Sequence, residues 1–473
     1  MSGEERPPEH DPAAALPLDP QGGVAPVAVT GEHDVRHLLH DSLPRTIRRF
    51  ALPAVASSLL MTLFASVDTF WVGTRVGAQA LAAVSTSIFW IWMIVALAEM
   101  VGIGLTAVAA RRHGEGRREE AARIAGEALL LSLLLGTLIA IGGSLFVEDL
   151  FAVMHTPPEV TALGLAYLHT YLLGAPLIYG FFAIDAAFRA SGDTRTPFLL
   201  LAVSVSLTLV LDPVLILGLA GAPRLGIAGA AIATIATRGG AFLMGFALLR
   251  RRGLLVFDRP RLPALAAVAR IGLPTAATGV IFSLIYVALT RTTTRFGTPA
   301  LAALGIGHRI ESWLYMIGVG FGAATAAIVG QNLGAGYPAR ARRAGWISVG
   351  YCTVFGVAAC VGELFWAEEL AALFTNDPAL VAEGARYLRI AALSQLVICA
   401  EIVLEGALGG AGDTIPPMLT STVLTVARIP IAAWAAARWG PPGIWWTISL
   451  TAIARGLAMM ALWHLRRWER RSV

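Results

Sequence analysis

Lysine is absent from the 473 residues, and charged residues of all kinds reach only 14%. A soluble domain carries nearer a quarter, so this composition excludes an ordinary water-facing surface. Cysteine is scarce too, with Cys352, Cys360 and Cys399 the only three. All three fall inside apolar segments without metal-ligand spacing, which excludes a disulfide framework and points to core packing. No P-loop, HExxH or GxSxG motif occurs. Nothing therefore ties the chain to nucleotide hydrolysis or to the common hydrolases; no enzyme activity, cofactor or metal beyond a transported ion is expected.

What fills the chain instead is apolar: 56% of residues are hydrophobic and the mean hydropathy is +0.69. They fall in blocks long enough to cross a hydrocarbon core about 30 Å thick. Twelve spans follow: Phe50–Val72, Leu81–Ala110, Ile124–Val147, Ala162–Ala183, Pro197–Leu219 and Ile227–Leu249, then Ile271–Leu289, Leu301–Val329, Ala344–Trp366, Ala385–Leu408, Pro417–Trp434 and Ile444–Leu465. Backbone groups in lipid must be satisfied within their own segment, so each span is helical. The predicted fold class is an all-α integral membrane protein of two six-helix bundles. Residues 1–47 read as a disordered tail, 48–252 as the first bundle, 253–267 as a linker, 268–467 as the second bundle and 468–473 as a short tail.

A sequence pI of about 9.4 would suit nucleic acid, but the arginines lie in short loops between apolar blocks, the pattern of topology signals. Arg111, Arg112, Arg117 and Arg118, then Arg250, Arg251 and Arg252, then Arg340, Arg342 and Arg343 occupy alternate connections, and Arg466, Arg467, Arg470 and Arg471 the carboxyl end. The opposite connections hold Glu148, Asp149 and Glu159, or Glu368, Glu369 and Asp377. Positive-inside logic places both termini in the cytoplasm and the protein in the cell (inner) membrane.

The chain repeats itself at a shift of about 220 residues. Ala190-Ser191-Gly192-Asp193-Thr194 with Pro197 returns as Gly410-Ala411-Gly412-Asp413-Thr414 with Pro417; Tyr167-Leu168 returns as Tyr387-Leu388 and Arg238-Gly239 as Arg455-Gly456. Six spans per half make the halves parallel repeats about an axis along the membrane normal, enclosing a cleft between them. Asp193 and Asp413 read as turn and helix-cap residues. Pro53, Pro213, Pro274 and Pro430 are expected to bend or break their helices, and the Gly318–Gly322 stretch to pack closely on a neighbour.

Ionisable side chains within spans are functional candidates by default. Asp68 lies in the first span and Asp212 in the fifth, with Thr208 one turn earlier on the same face. A buried carboxylate with no cation close in sequence suits proton exchange, or a small cation completed by hydroxyl and carbonyl oxygens. Glu99, Glu311, Glu401 and Glu405 are secondary candidates; Asp185 and Arg189 read as a local ion pair, and His308 with Glu311 as a coupling or gating pair or a solvated rim.

Three features together resemble the multidrug and toxic compound extrusion (MATE) family: Val67-Asp68-Thr69-Phe70-Trp71-Val72-Gly73, the paired Gly-Asp-Thr loops, and Val329-Gly330-Gln331-Asn332-Leu333-Gly334-Ala335-Gly336. The resemblance runs from about Arg48 to Arg467. It implies efflux of organic cations, drugs or metabolites in exchange for Na⁺ or H⁺. Within the family, the DNA-damage-inducible (DinF-like) branch rather than the NorM-like one has its ion site in the first half. On that pattern Asp68, Asp212 and Thr234 match, Thr208 stands where an Asn is usual, and Pro53 matches the proline at which the first helix bends. The expected partners are the bilayer and small cationic or amphipathic substrates, with the protein a monomer and no nucleic acid bound. A flippase for lipid-linked saccharides or cell-wall precursors is the alternative transport reading; a non-transporting receptor or intramembrane enzyme is the alternative of another class.

Overall fold

The computed structural model describes residues 41–72, 76, 78–153, 158–258, 262–465 and 467–470. Residues 1–40 of the expected tail lie outside them, as does the side chain of Asp68. Every regular element among the described residues is helical. The first half contains α1 (Leu43–Trp71), α2 (Ala78–Gly114), α3 (Arg118–Val153), α4 (Pro158–Leu173), α5 (Ala175–Ala190), α6 (Arg195–Leu217) and α7 (Ile227–Arg251). The second contains α8 (Leu262–Thr294), α9 (Thr298–Gly334), α10 (Pro338–Phe365), α11 (Ala367–Ala372), α12 (Pro378–Gly410), α13 (Ile415–Trp439) and α14 (Pro441–His464). Eleven of these helices are long and apolar enough to cross a membrane, and the α4–α5 pair makes a twelfth span when taken together.

That pair corrects the expectation of one helix over Ala162–Ala183: the chain bends by 51° between Leu173 and Ala175. Pro176 supplies the cause, since it has no N–H to donate and its ring crowds the carbonyl one turn back. The repeat partner of this segment carries Ser394 and Leu396, and α12 runs unbroken through them. By contrast Pro53, Pro213, Pro274 and Pro430, expected to disrupt their helices, all sit inside continuous ones. One turn beyond two of them, the Ser57 hydroxyl donates to the Pro53 carbonyl (2.9 Å) and the Thr278 hydroxyl to that of Pro274 (3.0 Å).

The first helix of each half is shared between both. Leu43, Ile47, Phe50, Ala51 and Ala54 of α1 are buried in a core with Phe321, Ile328, Cys399 and Trp463 of the second half. Further along, Leu60, Met61 and Phe64 pack on first-half residues. The repeat partner α8 does the reverse, burying Val268, Ile271 and Ala276 among first-half residues and Ile285 and Leu289 among second-half ones. Pro53 and Pro274 lie just before the two crossovers. Backbones touch where these helices cross: a Cβ on Gly272 would lie 1.8 Å from the Met100 carbonyl oxygen of α2, and one on Gly320 of α9 would lie 2.4 Å from Val55 Cα. The glycines of the Gly318–Gly322 stretch thus serve close helix packing, as expected.

Candidate functional site

In the first half, α6 and α7 pack antiparallel. Gly229 comes against Leu215, and further along the Thr208 and Thr237 hydroxyl oxygens are 2.7 Å apart. This register sets Thr234 level with Asp212. Asp212 is 0% exposed and Thr208 1%. Thr208 also donates to the Ser204 carbonyl at 2.8 Å, while the Thr237 hydroxyl lies 2.9 Å from the Ala233 carbonyl oxygen and 3.2 Å from that of Thr234. A buried acid thus lies one helical turn from a pair of hydroxyl groups inside the membrane-spanning layer, the oxygen chemistry that a proton or a monovalent cation needs. Asp68 lies on α1, which packs against α6. Thr237 joins the cluster from outside the candidates that the sequence suggests; its place one turn from Thr234, on an α7 face opposite Thr208, is the signal that marks it.

Beside the pocket, Arg238 lies over the rings of Phe64 (5.5 Å) and Phe181 (5.4 Å), with Nη2 3.0 Å from Met61 Sδ. Its charge lies over ring faces, with the Asp185 carboxylate in electrostatic range.

The second half is organised differently. Arg455 forms an ion pair with Glu401 and donates from Nη1 to the Thr425 hydroxyl at 3.0 Å. Arg428 donates from Nε to the Thr451 hydroxyl at 2.9 Å. Neither set of contacts can be read from the sequence, because each depends on which faces of separate helices converge. Glu311 is no solvated rim residue: it accepts from the Tyr387 hydroxyl at 3.1 Å and, at 3.5 Å, from Gln395 Nε2. The same amide donates to Glu363 at 3.1 Å. Glu363 and Gln395 are both buried, and neither stands out in the sequence. His308, one turn from Glu311, packs edge-on against Tyr286 with centroids 4.2 Å apart.

Between the halves, Tyr315 lies within electrostatic range of Glu99 on α2 and of Glu401 and Glu405 on α12. Glu99 is exposed. Asp185 and Arg189 form the expected local ion pair. Asp193 accepts from the backbone amides of Arg195 and Thr196, each at 2.9 Å, and pairs with Arg252 at 2.8 Å, so it caps α6 and ties it to the end of α7. Cys352, Cys360 and Cys399 are buried and form no disulfide.

The MatE family pattern matches residues 53–214 and again 274–434, once in each half. Among curated proteins, the chain is 29% identical over 430 residues to the "FAD transporter" of Shewanella oneidensis, covering 89% of this chain and 95% of that one. It is 30% identical over 439 residues to the "Multidrug resistance protein NorM" of Burkholderia vietnamiensis, covering 89% and 92%. Among solved structures, the Vibrio cholerae MATE transporter VcmN in its bent form superposes with a TM-score of 0.82 at 23% identity, covering 89% of this chain and 96% of that one. A MOP superfamily transporter from Pyrococcus furiosus gives 0.84 at 22%, covering 91% and 97%. The fold is thus that of the solved MATE transporters, and the family pattern fills most of both halves: the chain belongs to the MatE family of multi-pass membrane transporters.

Proposed function

We propose that this protein is an ion-coupled antiporter that exports small organic molecules, its two halves opening the cleft alternately to either side of the membrane. The observation that carries this reading is the buried Asp212 set level with Thr234 and beside the Thr208–Thr237 hydroxyl pair. A proton or Na⁺ bound there removes a buried negative charge, and so gives the occupied and empty states different preferred packings. Asp68 joins the pocket from α1, as the family resemblance implies, and Pro53 gives that helix a place to bend. Glu99 and Glu405, on facing helices beside Tyr315, serve a cationic or amphipathic substrate, while Glu401 is taken up by Arg455. The relative named as an FAD transporter extends the substrate panel to an anionic aromatic cofactor. The arginine-rich connections support cytoplasmic termini, and the protein acts as a monomer in the inner membrane.

The test is efflux from everted vesicles or proteoliposomes under an imposed pH or Na⁺ gradient, with cationic dyes and FAD as substrates. Asp212→Asn and Asp68→Asn are expected to abolish gradient-driven efflux at unchanged protein level. Efflux that survives both substitutions would refute the first-half site. Headgroup flipping without movement of any soluble substrate would favour the flippase.

A further inference from the structure

The two halves share more than a fold around the Asp212 pocket. At one constant offset, Ser204, Thr208, Pro213, Thr234 and Arg238 of the first half correspond to Ser421, Thr425, Pro430, Thr451 and Arg455 of the second. The hydrogen bonds correspond as well: Thr208 donates to the Ser204 carbonyl at 2.8 Å, and Thr425 to that of Ser421 at 2.6 Å. The second half therefore contains a partial copy of the pocket, with Thr425 and Thr451 in place and Ala454 where the first half has Thr237.

What differs is who uses the hydroxyls. In the first-half pocket Thr208 faces another hydroxyl, that of Thr237, and Arg238 is turned away over Phe64, Phe181 and Met61. In the second-half copy both threonine oxygens accept from guanidinium groups, Thr425 from Arg455 and Thr451 from Arg428. Arg428 stands where the first half has Leu211, and Ile429 stands where it has Asp212. On the register that pairs Tyr167 with Tyr387, Glu401, which holds Arg455, stands where the first half has Phe181. Both arginines are nearly sealed from solvent, Arg428 at 2% and Arg455 at 7% exposure. The titratable groups around the copy are Tyr286 on α8, His308 and Glu311 on α9, Tyr387, Glu401 and Glu405 on α12, and Arg455 itself.

We infer that the second-half copy is a cation pocket filled from within: the tethered guanidinium of Arg428, with Arg455, occupies the hydroxyls that an exchangeable monovalent cation would need, so the transporter keeps one exchangeable-cation pocket and Arg428 is the residue that closes the other. The inference rests on the Asp212 pocket being the ion site. A guanidinium cannot deprotonate at any physiological pH, so this occupant does not leave during transport. The duplication then yields one pocket that responds to the ion gradient and one that holds a fixed positive charge.

The experiment is efflux from proteoliposomes, titrated with whichever of H⁺ or Na⁺ drives it. The readout is the half-saturating ion concentration, which is insensitive to how much protein is active. Thr208→Val and Thr234→Val are expected to raise it by about tenfold, the effect of one lost ligand. Thr425→Val and Thr451→Val, although their repeat partners, are expected to leave it within about twofold. A shift from the second pair as large as from the first would overturn the inference. No shift from the first pair would instead count against the Asp212 reading, so different variants tell the two failures apart. A further variant, Arg428→Leu with Ile429→Asp, restores the first half's Leu-Asp sequence in the second. Its ion dependence is expected to steepen, the Hill coefficient rising from about one towards two. A folded variant with unchanged steepness would refute Arg428 as the closing residue. Should it fail to fold, the Thr451→Val titration still decides.

Discussion

Gly114 at the end of α2 and Gly334 at the end of α9 are repeat partners, and each lies against the other's helix. A Cβ on Gly114 would lie 2.0 Å from the Gln331 carbonyl oxygen, and one on Gly334 2.0 Å from that of Arg111. Gln331 adds a bond from its amide to the Ala190 carbonyl at 2.7 Å. The two halves meet backbone to backbone beside Arg111 through this reciprocal contact, and only glycine leaves room for it. Gly114→Ala and Gly334→Ala are each expected to cost about 1–3 kcal/mol through overpacking. The check is a lower melting temperature in detergent, together with faster maleimide labelling of an Ala107→Cys probe from that side in a background lacking the native cysteines.

The Thr208–Thr237 contact gives a second expectation. If the two hydroxyls act as one unit of the ion pocket, Thr237→Val weakens the response to the coupling ion as much as Thr208→Val does. The double substitution should then be little worse than either single one, with a coupling energy of about 0.5–1.5 kcal/mol. Additive effects in the double-mutant cycle would separate the two threonines.

Removing one partner of a buried ion pair leaves the other uncompensated. Glu401→Gln should therefore destabilise the second half by about 3–5 kcal/mol, since it strands Arg455. Adding Arg455→Met should recover much of the loss. Thermal unfolding of the three variants measures this directly; a double variant as unstable as Glu401→Gln would show that the pair is not what matters there.

Gln395 bridges Glu311 and Glu363, its side-chain amide donating to both. Gln395→Leu should cost about 1–3 kcal/mol, the penalty for taking the donor away from a buried acceptor. Gln395→Glu, which keeps the volume but adds a third carboxylate, should be worse. Equal melting temperatures for the two would mean that only volume counts at this position.

The membrane architecture is legible in the sequence because lipid admits so few solutions: an apolar block of this length has to be a helix, and the Gly-Asp-Thr repeat aligns the two halves. The one broken span has its signal in Pro176, but Pro53, Pro213, Pro274 and Pro430 look equally disruptive and sit inside continuous helices. Local pairings such as Asp185–Arg189 follow from helical spacing. The pairings of Arg455 with Glu401 and of Gln395 with Glu363 do not, because they depend on which helix faces converge. The repeat does reveal Arg238 and Arg455 as partners, and both lie over aromatic rings, but Arg455 also forms an ion pair with Glu401. A shared position in the sequence does not say which acid each guanidinium meets.

Because α1 and α8 each bury their first turns in the other half, neither half owns a complete interior. A chain ending after α7 would expose the apolar surface that α8 covers, and its own α1 would have nothing to lean on. An ancestor encoding a single half would thus have been viable only as a dimer that exchanged its first helix with its twin. Fusing two copies into one gene replaced that concentration-dependent exchange by a covalent one. It also freed the two copies to diverge, while the exchanged helices still bind them: the halves can specialise, but they cannot part.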